Sequence, residues 1–311
     1  MKTIQWGLLG SGKTTQRFMK GLALTDGRCV AVATRSKQDQ WKHAYPNLTV
    51  YDDYQSLIED PNVDAIYISL RHADHYQWAQ QALLHHKAVL CEKPATLKAS
   101  ELSDLIKLSH DHKVFFLEAL KTRFMPIRET LNQWIQESGP IQSITNGFGY
   151  CLDYDPKSYL YDLNQGGILY DVGSYTLGAI LDCVSSDIKD VHVQAKLAYG
   201  VDAFTMVDLV FENGVKAHTE MALDRVIKTN MTIRCEKATI TVENFHRPTR
   251  IFRESLNGKE TLEMLDDDFK GEIEAVHQGI RTQRIESDAY THADTLRVIQ
   301  LMEHIHKEIH R

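Results

Sequence analysis

The sequence is short of the features that define several large protein classes. Its 311 residues include five cysteines, Cys29, Cys91, Cys151, Cys183 and Cys235, scattered without a C-x-x-C pair. That argues against a disulfide scaffold or a cysteine zinc site and fits a reducing compartment. No apolar run approaches the ~20 residues that a membrane-spanning helix needs. No Lys/Arg-rich block interrupts a chain of formal net charge −7, so nothing marks a nucleic-acid surface. Long linkers, repeats and low-complexity stretches are missing too. The opening MKTIQWGLLG passes straight into a strand-like run without the apolar region of a secretory signal. The expected location is therefore the cytoplasm, with neither nucleic acid nor membrane as partner. Histidine is plentiful, at 15 residues, but His110/His112 and His304/His306/His310 sit among charged residues on helical patterns. With no carboxylate or cysteine at ligand spacing, they read as solvated, and no metal site is expected.

What is present is a strong alternation in the first 120 residues. Apolar strands at TIQWGLLG, CVAVATRS, VDAIYIS, AVLCEKP and VFFLEAL are separated by helical patterns. One of these is a short helix opened by Asp53, carrying Leu57 and Ile58 and ended by Pro61. Strands apolar throughout, alternating with helices, predict a parallel sheet covered on both faces. The texture changes after that. Alternating strands flank Asn213-Gly214 and Asn257-Gly258, both hairpin signals, and VHVQAKLAY, MTIRC and ATITVEN add further strands. Two helices, near 269–285 and 291–309, close the chain. The expected fold is α/β plus α+β. Residues 1–121 are expected to form the parallel-sheet α/β domain and 122–311 a second, α+β domain on a largely antiparallel sheet.

The stretch GLLGSGKTT fits two motifs. Gly7, Gly12, Lys13 and Thr14 match the P-loop of nucleotide triphosphatases, while Gly10 and Gly12 open the dinucleotide pattern G-x-G-x-x-[GA], with Thr15 at its third small position. Both need glycine because backbone N–H groups must approach phosphate at a helix N-terminus. The P-loop reading places Leu8 and Leu9 in a loop although they continue the strand. It also lacks an acidic strand end for magnesium, since VDAIYISLRH ends in Ser, Leu and Arg. The dinucleotide reading ends the strand at Leu9 and starts the helix at Lys13 or Thr14. About 20 residues on, where NAD-specific sites place an acid, this chain has Thr34, Arg35 and Ser36. A guanidinium beside a hydroxyl suits an adenosine 2′-phosphate, so NADP(H) is the expected cofactor, with NAD(H) possible.

Glu92-Lys93-Pro94 follows a buried strand at the end of the sheet where open α/β folds bind ligands. The surrounding segment DAIYISLRHADHYQWAQQALLHHKAVLCEKPATL resembles the glucose–fructose oxidoreductase/inositol dehydrogenase/MocA family. It matches that family's strand, nicotinamide-side loop, helix and E-K-P motif in order. FLEALKTRFMP and DYDPKSYLYDLNQGGILYDVGSY resemble its dihydrodiol dehydrogenase-like branch, and FKGEIEAVHQGIR its closing helices.

The resemblance covers nearly the whole chain. It implies that residues 1–121 are a Rossmann dinucleotide-binding domain and 122–311 an open-faced substrate-binding and oligomerisation domain. It also implies Lys93, Asp171 and Tyr175 as the catalytic set, with Lys93 contributed by the first domain. Asp171 and Tyr175, four apart, share one face of a helix. Hydride leaves a carbinol carbon only as its hydroxyl proton departs to a base. A phenol with a pKa near 10 needs a neighbouring cation to serve as one. Tyr175 is therefore assigned as acid/base, Lys93 as its electrostatic and hydrogen-bonding partner, and Asp171 as an orienting or relay group. Gly10, Gly12, Lys13, Thr14, Thr34, Arg35, Ser36, Leu70, His72, His75, Glu92 and Lys93 are the expected cofactor contacts. The chain departs from the family in having Leu70-Arg71 for Thr-Pro, Lys121 where relatives often carry Trp, and Tyr159 where the branch often has Arg. Arg123 either binds substrate or pairs with a carboxylate.

The implied activity is a dehydrogenase acting on a secondary alcohol of a sugar, polyol or cyclic diol, as a homo-oligomer, dimer or tetramer. The alternatives are a non-catalytic NADP(H)-binding sensor and a P-loop triphosphatase.

Overall fold

The computed structural model describes residues 2–311, which fall into two compact units: residues 2–120 with 267–299, and residues 121–266 with 300–311. The first unit opens with β1 (Gln5–Leu9), α1 (Lys13–Leu22), β2 (Arg28–Ala33), α2 (Gln38–Ala44), β3 (Thr49–Tyr51) and α3 (Tyr54–Glu59). It continues with β4 (Ala65–Ile68), α4 (His72–Leu84), β5 (Ala88–Glu92), α5 (Ala99–His112) and β6 (Phe116–Ala119). Among the described residues these six strands form one parallel sheet in the order β3-β2-β1-β4-β5-β6. Every residue of β4 and β6 is buried, as a sheet covered on both faces requires. The order reverses beside β1, the point at which such sheets bind ligands beyond the strands' carboxyl ends. Asp53 caps α3 by accepting from the Ser56 amide at 2.8 Å. The short α2 and β3 carry too few residues to show a period and were not anticipated.

The second unit begins at a 3-10 turn, Lys121–Phe124, and continues with α6 (Ile127–Glu137), β7 (Ile141–Cys151), α7 (Ile168–Cys183), β8 (Ile188–Ala198) and β9 (Val201–Phe211). Next come β10 (Lys216–Ala222), β11 (Asp224–Ile227), β12 (Asn230–Cys235), β13 (Ala238–Glu243), β14 (Arg250–Ser255) and β15 (Gly258–Glu263). The sheet order is β15-β14-β13-β12-β7-β10-β9-β8, with β11 also paired to β7. All pairs are antiparallel except β7 with β10. The hairpins expected at Asn213-Gly214 and Asn257-Gly258 are β9–β10 and β14–β15. Helix α7 packs on β7, β9 and β10 and covers the face carrying the buried Thr205, Val207 and Leu209. Phe204, Met206, Asp208 and Val210, on the opposite face, are only half-buried.

No strand is expected from IQSITNGFGYC, where glycines interrupt the apolar pattern, yet it forms the central strand β7. Its glycines mark a close approach instead. A Cβ at Gly149 would lie 2.7 Å from the Arg225 carbonyl oxygen of β11.

The last helices are α8 (Lys270–Arg281) and α9 (His292–Ile309). The sequence reading put everything after residue 121 in the second domain, whereas residues 267–299 belong to the first unit. The reason is the core beneath α8. Phe269 and Ile273 are buried, the Trp6 indole donates to His277 Nε2 at 2.9 Å, and Arg17 pairs with Asp268 at 2.6 Å.

Candidate active site

In the first unit the candidate residues gather at the carboxyl end of β1. Gly10 has φ +101°, and a Cβ there would lie 2.2 Å from the Ser69 carbonyl oxygen; glycine alone lets the chain turn this close to β4. Gly12 caps α1 without a side-chain bond to the helix amides, and a Cβ built on it meets nothing within 4 Å. Open space beside uncapped N–H groups is what receives a pyrophosphate. Lys13 and Thr14 begin the helix. Thr15, the departure from the glycine pattern, is fully buried, and its hydroxyl donates to the Gly10 carbonyl at 3.2 Å. That bond fastens the turn to the helix.

The Ser11 hydroxyl lies 2.6 Å from that of Thr34, tying the turn to the end of β2. Arg35 and Ser36 are exposed, and the Arg35 guanidinium sits 4.7 Å over the Tyr54 ring, a cation–π contact that holds it beside the strand end. These residues fit a dinucleotide, since the uncapped N–H groups at the start of α1 are open to a diphosphate.

The E-K-P loop is braced from three sides. Glu92 accepts from the Tyr67 phenol. Glu118 of β6, 1% exposed, accepts from the Ala95 amide at 2.9 Å and from the Tyr290 phenol at 2.6 Å. His75 is fully buried, with Nδ1 2.8 Å from the Pro94 carbonyl and Nε2 3.2 Å from that of Leu70. Burial holds its pKa below the ordinary imidazole value. Expected as a cofactor contact, His75 has both ring nitrogens facing main-chain carbonyls and works as a strut between the loops after β4 and β5. His72 is buried against it, ring centres 5.9 Å apart. Lys93 and Leu70 are half-buried on those loops.

In the second unit α7 carries Asp171 in its first turn and Tyr175, 8% exposed, in the next. The phenol of Tyr150, on β7, donates to the Asp171 carboxylate. Burial, and then the negative charge of Asp171, push the Tyr150 pKa far above the usual phenol value. Lys121, 6% exposed, places its ammonium 5.9 Å from the Tyr175 ring centre. Phe148 and His246 complete this aromatic group, their ring centres 6.4 and 6.0 Å from that of Tyr175.

The start of α7 is fixed by Asp202. Its Oδ2 accepts from the Leu169 amide at 3.0 Å and from the Thr205 hydroxyl at 2.8 Å. Burial pushes the Asp202 carboxyl up to about 6. Arg123 pairs with Asp182, which also binds Arg128 at 2.6 Å, so of its two expected roles the carboxylate pair is the one formed. Tyr159 lies half-buried in a 3-10 turn, Tyr159–Tyr161. The sequence reading passed over Tyr150, Asp202 and Glu118. Tyr150 is hidden in the glycine-broken strand, and the other two act on backbone amides far away in sequence.

Residues 4–119 match the model of an oxidoreductase family with an NAD-binding Rossmann fold, and residues 129–241 match the GFO/IDH/MocA C-terminal domain. A trans-1,2-dihydrobenzene-1,2-diol dehydrogenase from Danio rerio is 26% identical over 330 residues, covering 98% of this chain and 97% of its own. A 3-ketoreductase from Actinomadura kijaniata, solved with NADP and TDP-benzene, superposes with a TM-score of 0.90 at 20% identity over 98% of each chain. An aldose-aldose oxidoreductase from Caulobacter crescentus, solved with glycerol, gives 0.88 at 18% identity, covering 98% of this chain and 97% of its own. At these identities the two structures speak for the fold. Among the described residues no helix is long and apolar enough to cross a membrane.

Proposed function

The chain belongs to the GFO/IDH/MocA oxidoreductase family, and we propose that it is an NAD(P)-dependent dehydrogenase of the dihydrodiol dehydrogenase-like branch. It moves hydride between the nicotinamide and a secondary alcohol or carbonyl of a sugar, polyol or cyclic diol. The observation that carries this reading is the buried phenol one helical turn from a carboxylate on α7, in a chain whose β1 ends in a dinucleotide turn.

When bound, the nicotinamide supplies the hydride acceptor in oxidation and the donor in reduction. The chain's own residues manage the proton. Tyr175 takes it from the substrate hydroxyl and returns it to the carbonyl oxygen in the reverse direction. Lys93 is the proposed electrostatic and hydrogen-bonding partner in that transfer. Asp171, at the positive end of α7, accepts from a substrate hydroxyl and orients it, and Tyr150 fixes the carboxylate in turn.

NADP(H) is the preferred cofactor in this reading, supported by Arg35 and by the lack of a carboxylate at Thr34, Arg35 and Ser36. Half-buried Phe204, Met206 and Val210, on the sheet face away from α7, support a homo-oligomer formed through that face. Five cysteines, none in a disulfide, support the cytoplasm as its location.

The test is a spectrophotometric screen of sugars, polyols and cyclic diols with NAD⁺ and NADP⁺ side by side. Reduction of the nicotinamide, faster with NADP⁺, is expected. Failure of the whole panel, together with magnesium-dependent ATP hydrolysis lost in Lys13→Ala, would overturn the reading.

A further inference from the structure

Lys121 is a buried lysine that this mechanism does not use. It opens the 3-10 turn after β6, is 6% exposed, and holds its ammonium over the face of the Tyr175 ring, 5.9 Å from the centre. Lysine is seldom buried to this degree. Where water is largely excluded, a cation at this range acts with less screening than at the surface. It attracts the neutral ring weakly, through the quadrupole, and a phenolate far more strongly, through net charge.

We propose that Lys121 is a positioning residue for Tyr175, pinning the ring face and biasing the phenol towards phenolate. The inference rests on the reading of Tyr175 as acid/base. Two other titratable groups near Tyr175 in this unit, Asp171 and His246, do not supply that bias. Asp171, one turn earlier on α7, opposes a second negative charge, although the Tyr150 bond from β7 disperses its own. His246, after β13, with its ring centre 6.0 Å from that of Tyr175, favours phenolate only when protonated. The ammonium of Lys121 does so whatever the state of His246.

The experiment is a near-ultraviolet tyrosinate titration of the full chain, with the curve of Tyr175→Phe subtracted to isolate one phenol. The same subtraction is made in Lys121→Met, Lys121→Gln and Lys121→Arg backgrounds. Far-ultraviolet circular dichroism reports folding, and the Met and Gln variants back each other should one fold poorly. The Tyr175 midpoint is expected about one pH unit higher without the charge, and near the wild-type value in Lys121→Arg. Coincident midpoints in wild type and the Met or Gln variants would overturn the proposal.

NADP⁺ reduction with a cyclic trans-diol separates the two readings. Turnover retained in Tyr175→Phe defeats the acid/base assignment itself. Turnover lost there with unmoved midpoints defeats Lys121 alone.

Discussion

The Tyr150 phenol donates its hydrogen bond to Asp171, so the carboxylate that opens α7 is gripped from strand β7. A carboxylate held this way has one lone pair committed and keeps its orientation. Tyr150→Phe is expected to lower kcat/KM about 10–100-fold, the range for losing a hydrogen bond to a charged group. Burial and the neighbouring carboxylate keep Tyr150 protonated well past the ordinary phenol range. The basic limb of the pH–rate profile therefore belongs to another group and persists in this variant. Loss of the limb in Tyr150→Phe would reassign it.

Asp202 gives the protein a pH-dependent stability of unusual sign. Its carboxyl is pushed up to about 6 in the fold, above the ordinary aspartate value of about 4, by desolvation. Between about pH 4 and 6 the native state thus holds a proton that the unfolded chain has released. Stability from this residue is greatest below that window and falls as pH rises through it, by about 3 kcal/mol for a two-unit shift. Both donors meet a single oxygen, Oδ2, so the amide oxygen of Asp202→Asn can accept both. Urea denaturation at several pH values is expected to show the Asn variant losing this dependence relative to wild type. Parallel curves for the two proteins would contradict it.

Arg35 decides cofactor preference in this account. Its guanidinium is exposed and steadied over Tyr54. Removing it in Arg35→Ala is expected to cost about 10–100-fold in kcat/KM for NADP⁺, the worth of one charge-assisted contact, with little change for NAD⁺. Steady-state kinetics with both cofactors measure this. An equal loss with each would mean that Arg35 supports the fold of the strand end rather than reading the phosphate.

The parallel sheet was legible because each of its long strands is apolar throughout, and the dinucleotide turn because Gly10 has no substitute there and Gly12 leaves open space beside the helix start. The hairpins announced themselves through Asn-Gly. Strand β7 did not, since Gly147 and Gly149 imitate a loop while serving a close backbone approach. Membership of α8 in the first unit was equally hidden, because the Trp6–His277 bond joins residues 271 apart. The family resemblance pointed to Lys93, Asp171 and Tyr175, whereas Tyr150, Glu118 and Asp202 hold backbone or carboxylate partners that no local pattern names. His75 shows the converse: a motif position near the expected nicotinamide loop whose ring is occupied by two main-chain carbonyls.

The central claim is that Tyr175 carries the proton. Its most direct test is single-turnover and steady-state reduction of NADP⁺ by purified Tyr175→Phe, with cofactor affinity followed by NADPH fluorescence. The account predicts turnover lowered by about 10²–10⁴-fold, the range for one acid/base group, with NADPH bound as tightly as by wild type. Full activity in Tyr175→Phe would contradict it.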